Sequence, residues 1–170
     1  MPQQMIWFFV SIAFSLVAWG TLASRYVWPR LRLRSRAEAL QRLLTLHSFR
    51  FIGLAFLVPG VVSSDLPSGF ARSAACGDII AAALALLSLQ LLSSRAGVLS
   101  AWIFNLWGAF DLLSAFYHAN QDGLIPGQLG AAYFIPTVAV PLLLVTHAMA
   151  FRILLRNQHE SAMEKGLRPA

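Results

Sequence analysis

Residues 43–60 read LLTLHSFRFIGLAFLVPG. The stretch is apolar enough to cross a bilayer, yet His47 and Arg50 stand three residues apart within it. A charged side chain at the centre of a spanning helix costs on the order of 2.5–3.5 kcal/mol on insertion scales. Two arrangements lower that cost. Either Arg50 turns inward and meets a carboxylate, with Asp78 and Asp111 the candidates, or it stretches back to the cytoplasmic face on its aliphatic stem.

The whole chain shares the character of this stretch. Of 170 residues, 58% are hydrophobic and 12% charged, with a mean hydropathy of +0.65. A soluble domain is about 45–50% apolar and about 25% charged, so the composition is that of a membrane protein. The formal net charge is +6 and the pI near 10.7. The basic residues sit at the ends of apolar segments with no basic-aromatic module between them, which points to anionic lipid headgroups at the cytoplasmic face and away from nucleic acid. Cys76 is the only cysteine, so an intrachain disulfide and a thiolate metal cluster are both excluded. The N-terminal MPQQMIWFFVSIAFSLVAWG lacks a basic leader and runs into arginines, the pattern of an uncleaved first span.

A span needs about 20 apolar residues. Five segments qualify, at about 6–24, 43–62, 73–92, 98–118 and 129–151, and all are expected to be helices because open sheet leaves backbone unsatisfied in lipid. The expected fold is all-α: a single polytopic domain over residues 1–170, a bundle of five transmembrane helices. The segment 25–42 is a basic loop and 152–170 a tail. Arg25, Arg30, Arg32, Arg34, Arg36, Arg42, Arg95, Arg152, Arg156, Lys165 and Arg168 all fall on one side of such a bundle, and Arg72 on the other. The positive-inside rule then places the N-terminus outside and the C-terminus in the cytoplasm, in a membrane of the bacterial cytoplasmic (inner) type. SRAE at Ser35–Glu38 matches a capping box, so the second helix is expected to start before the membrane. NQDG at Asn120–Gly123 is turn chemistry.

Six polar residues lie within spans: His47, Arg50, Asp78, Asn105, Asp111 and His147. At about 1.5 Å rise per residue, both histidines lie about 8 Å from the cytoplasmic edge, Arg50 and Asn105 about 12 Å, and the aspartates about 20–22 Å. Helical phase puts His47, Arg50 and Leu54 on one side of the second span. Asp78 shares a face with Ala74, Ala81, Ala82 and Ala85, small residues that let helices approach closely. Asn105, Gly108 and Asp111 share a face of the fourth span, and Tyr133, Pro136, Val140 and His147 one of the fifth. All four faces can turn to one axis. Pro136 and Pro141 free the carbonyls of Ala132 and Thr137 for other partners.

Intramembrane ionisable residues are functional candidates by default. The reading is a buried polar cavity formed by these six residues that handles a small polar solute, an anion among the candidates, or protons. Arg50 would attract the anion, the aspartates would balance it, and the histidines would titrate near neutrality. The alternatives are a b-type haem protein with His47 and His147 as axial ligands, an accessory or assembly subunit of a membrane complex, and a purely structural network. A homo-oligomer would supply walls that five spans lack. No catalytic triad or metal-ligand spacing is present in the sequence pattern, so no enzymatic role, metal or firmly assigned cofactor is expected.

Overall fold

The computed structural model describes residues 3–94 and 96–156. Among these the chain is helical without a β-strand, and four of its helices are long and apolar enough to cross a membrane. The expectations placed on Arg95, His159, Lys165 and Arg168 lie outside the described residues.

The first helix, α1 (Gln3–Leu22), does not stop at the expected boundary. It passes through a π-helical turn at Ala23–Val27 into the short helix α2 (Trp28–Leu31), so the first part of the expected basic loop is helical. Ser35 then caps α3 (Arg36–His47). Its hydroxyl accepts from the Glu38 amide, and the Glu38 carboxylate accepts from the Ser35 amide, the reciprocal box that the sequence indicated. The loop is tied to the far end of the chain. Arg36 donates to the Arg156 carbonyl, Arg156 donates to the Arg32 carbonyl at 2.6 Å, and the Arg152 guanidinium lies 4.1 Å from the Trp28 ring centroid.

The quoted stretch changes helix type in its middle. After His47 the chain tightens into a 3-10 helix over Ser48–Leu57, ending before the Pro59–Gly60 turn. Runs of this kind longer than three or four residues are uncommon, and the buried positions give the reason. Arg50, Gly53 and Phe56 are buried while Phe49, Phe51, Ile52, Leu54 and Leu57 are exposed. At three residues per turn, positions i, i+3 and i+6 stay on one line, so a single face meets its neighbour throughout. The expectation for Leu54 fails for this reason. An α-helix would carry the face from Arg50 to Leu54, whereas the 3-10 twist carries it to Gly53.

Helix α4 (Ser68–Leu91) is central, touching α3, the 3-10 segment and α5 (Gly97–Gln121). Its alanine face is buried as its phase predicts, at Ala74, Ala81, Ala82 and Ala85. Apolar association supplies little drive inside lipid, so such faces hold by close van der Waals contact. After α5 the turn at Asp122–Gly123 leads into a 3-10 segment at Pro126–Tyr133. Gly130 interrupts that segment with φ +53, and a Cβ there would lie 2.4 Å from the Val61 carbonyl oxygen. This close approach lets Ala131 donate to Val61 at 2.8 Å, and Ser63 donates to Gln128 at 3.0 Å, which laces the two loops at this end together. The last long helix begins with a π-helical turn at Ile135–Ala139 around Pro136 and continues as α6 (Val140–Leu155). Residues 129–133, expected within the fifth span, thus lie in the 3-10 segment that precedes it.

Two apolar cores result. One holds Leu40, Leu44, Phe104, Met149 and Ile153 near the basic loop, and the other holds Phe56, Phe70, Leu112, Leu129 and Leu143 near the opposite end. Between them, at matching heights on four elements, come the polar residues. Helix α1 packs on α6 and the π-helical turn before it, and buries only Phe8. Trp7, Phe9, Phe14 and Val17 are exposed on it.

Candidate functional site

All six polar residues converge on the plane between the two cores. The 3-10 segment supplies Arg50, whose side chain has no accessible surface. Its Nε donates to Asp78 Oδ1 at 2.8 Å, and its Nη2 lies 2.7 Å from the same oxygen and 2.6 Å from Asp111 Oδ2. Nη1 donates to the Gly108 carbonyl at 3.1 Å. The planar guanidinium thus joins three elements, a task for which its rigid fork suits it. The separation of about 8–10 Å expected from helical rise is closed by the side chain's reach and the steeper rise of a 3-10 helix, about 2.0 Å per residue. The alternative in which Arg50 stretches back to the cytoplasmic face is excluded by these contacts.

Beside the arginine lies a histidine layer. His147 Nδ1 and Asn105 Oδ1 are 2.7 Å apart, and Asn105 Nδ2 donates to the His147 carbonyl at 3.4 Å. An amide oxygen only accepts, so His147 carries its proton on Nδ1 and presents a lone pair at Nε2. His47 Nε2 pairs with Thr146 Oγ1 at 3.0 Å. His47 Nδ1 and His147 Nε2 are buried with no hydrogen-bond partner among the described residues. The two rings lie in contact with centroids 4.1 Å apart and a tilt of 46°, and Phe104 packs against both.

That contact tests the haem alternative. Axial imidazoles grip an iron from opposite faces of a porphyrin plane, which must lie between them. Rings in direct contact leave no such slot, and the remaining space is taken by Phe104. The residues do not fit haem.

Three glycines make the assembly possible, and the search for charged residues passed over two of them. A Cβ on Gly53 would lie 2.0 Å from Asp78 Oδ2, one on Gly77 would lie 1.6 Å from Asp111 Oδ1, and one on Gly108 would lie 2.7 Å from His147 Nε2 and 2.8 Å from Arg50 Nη1. Each element therefore offers a glycine to the polar side chain of the next, from the 3-10 segment to α4, α5 and α6. The usable signal was adjacency. Gly77 precedes Asp78, and Gly108 lies one helical turn before Asp111.

A cavity of about 380 Å³ reaches this layer from the end opposite the basic loop. Asn120, Gly123 and Ile125 line its mouth side, Phe8, Phe56, Phe70 and Phe116 its walls, and Asp78 and Asp111 its polar floor. The aspartate side chains retain 11% and 15% of their surface whereas Arg50 retains none and does not line the cavity. An anionic solute entering here would meet the carboxylates, and the guanidinium expected to attract it is already occupied. On the other side of the polar layer the histidines, Phe104 and Leu44 are fully packed, so the cavity is blind.

Pro136 lines the same cavity, and Thr137 Oγ1 donates to the Tyr133 carbonyl at 2.7 Å beside it. His118 is exposed, as its position at a helix end suggests. No curated protein and no solved structure matches the chain. Residues 7–155 match the family model described as a domain of unknown function (DUF8737), and the chain belongs to that family.

Proposed function

We propose that this is a five-segment integral protein of the bacterial cytoplasmic membrane, N-terminus outside and C-terminus in the cytoplasm, that receives a small solute from the outside in the cavity ending at Asp78 and Asp111. The second segment crosses as a composite. Its 12 α-helical and 10 3-10 residues rise about 38 Å together, beyond the hydrocarbon thickness of about 30 Å. Exposed apolar residues around the elements, including Phe49, Ile80, Phe110 and Phe134, support lipid contact. The distribution of arginines supports the orientation.

One observation carries the solute reading: the two carboxylates that clasp Arg50 also form the floor of a cavity. A network built only to hold helices in register has no need of a space beside its charges. Ala115→Trp, on the cavity wall, tests this. The full chain is extracted in native lipid discs and released small molecules are identified by mass spectrometry. A molecule recovered in proportion to the wild-type protein and depleted from the variant is expected. Equal recovery from both, or none from either, would overturn the reading.

The exposed apolar face of α1 favours a second reading, that of an accessory subunit held through this helix. A stoichiometric partner that co-purifies with the wild type and is lost on Phe14→Glu would support it, and a monodisperse chain without a partner would count against it.

A further inference from the structure

The chemistry of the cavity narrows the solute. We infer that it is a hydrophobic amine: a protonated amino group carried on a compact aryl or alkyl body. This rests on the solute-binding reading above and adds the class of ligand to it.

The polar groups at the cavity floor are acceptors. Asp78 Oδ1 receives Arg50 Nε and Nη2, and Asp111 Oδ2 receives Nη2. Asp78 Oδ2 and Asp111 Oδ1, which sit against Gly53 and Gly77, receive no hydrogen bond among the described residues, and both aspartates line the cavity with part of their surface accessible. Four of the five N–H groups of Arg50 are directed at the carboxylates and the Gly108 carbonyl, and the guanidinium is sealed from the cavity. A ligand head must therefore donate. A carboxylate or phosphate head would find no donor at the floor and would face two like charges.

Charge points the same way. One guanidinium balances one of the two carboxylates, and beside apolar walls the excess charge of the second is neutralised either by a proton or by a cation from the cavity. An ammonium group supplies the missing positive charge and several donors at once, and a neutral alcohol supplies only a donor. The walls suit the rest of the molecule. Phe8, Phe9, Phe56, Phe70 and Phe116 offer ring faces and edges, which accept an apolar body and attract a nearby cation. A sugar or amino-acid zwitterion would press unpaired polar groups against these rings. The volume of about 380 Å³ is near the lower end of the roughly 300–1,000 Å³ found for small-molecule sites, so the body is small.

Three probes of similar size separate the head groups: 2-phenylethylamine, 2-phenylethanol and phenylacetate. Each is titrated calorimetrically into the full chain in lipid discs, with empty discs subtracted. The amine is expected to bind at least about tenfold more tightly than the alcohol, the difference a charge-assisted hydrogen bond makes, and the acid is expected not to bind. Asp111→Asn removes the excess charge while Asp78 keeps its bonds to Arg50. It should abolish the preference for amine over alcohol, with the helical circular dichroism unchanged. Equal binding of amine and alcohol to the wild type, or preferential binding of the acid, overturns the inference. A co-purifying molecule that is depleted by Ala115→Trp but carries no amine would also defeat it, and would leave the solute-binding site standing. Absence of both a co-purifying molecule and probe binding defeats both.

Discussion

Gly77 of α4 meets Asp111 of α5 so closely that a methyl group in place of its hydrogen would lie 1.6 Å from a carboxylate oxygen. The contact lies between backbone and a short side chain, so neither partner yields easily. Gly77→Ala should displace Asp111 from Arg50 and destabilise the bundle by about 1–3 kcal/mol, the usual cost of overpacking. Gly69→Ala, near the start of the same helix with its nearest atom 3.8 Å from the added carbon, should leave stability unchanged. Thermal unfolding followed by circular dichroism in lipid discs compares the two.

Arg50→Met leaves two carboxylates adjacent and unpaired. A buried pair broken from one side costs about 3–5 kcal/mol, and this variant should lose stability on that scale. The triple replacement Arg50→Met, Asp78→Leu, Asp111→Leu removes the charges together and should recover most of the loss, since buried ion networks are often replaceable by apolar side chains of similar volume. The recovered protein should nonetheless bind no amine probe. Stability measurements and titrations on the same preparations separate the structural from the ligand-binding contribution of the cluster.

The contact between His147 Nδ1 and Asn105 Oδ1 specifies a tautomer. Nitrogen-15 spectra of histidine-labelled protein should show one buried ring protonated on Nδ1 and bare at Nε2. Asn105→Leu should abolish that signature and cost about 1–3 kcal/mol, because a buried donor then lacks its acceptor. A ring that stays in the same tautomer in the variant would show that Asn105 does not set it.

Orientation is open to a labelling test. In a Cys76→Ser background, a membrane-impermeant thiol reagent added to intact cells should modify His118→Cys and spare Arg34→Cys. After the membrane is opened, both should react. His118 is exposed in the last turn of α5 and Arg34 is exposed in the bend between α2 and α3, so the difference reports the side of the membrane. The reverse pattern would invert the bundle and move the mouth of the cavity to the cytoplasm.

Much of this architecture was readable before any fold was known, for identifiable reasons. The Ser35 capping box and the Asn120–Gly123 turn are local, involving atoms a few residues apart, so their chemistry is written in adjacent letters. Helical phase placed the face of α4 correctly because an ordinary α-helix keeps its 100° step over six turns. The same arithmetic misplaced Leu54 and overestimated the distance from Arg50 to the aspartates, because it assumed an α-helix where the chain forms a 3-10 helix. Propensity does not announce a ten-residue 3-10 run. Here it matches a face, Arg50–Gly53–Phe56, that must lie in line along α4.

The sequence by itself determined that the chain is helical, which segments are apolar enough to cross a membrane, and which six polar residues those segments carry. These follow from composition and period, properties of residues taken one helix at a time. Only the tertiary structure decided that Arg50 is spent on both carboxylates, that the two imidazoles touch with no slot between them, and that the aspartates line a cavity. Such relations depend on how closely helices approach and on the direction in which each charge points. Gly53, Gly77 and Gly108 set that approach by lacking a side chain, which leaves no pattern that a reading of charges or hydropathy detects.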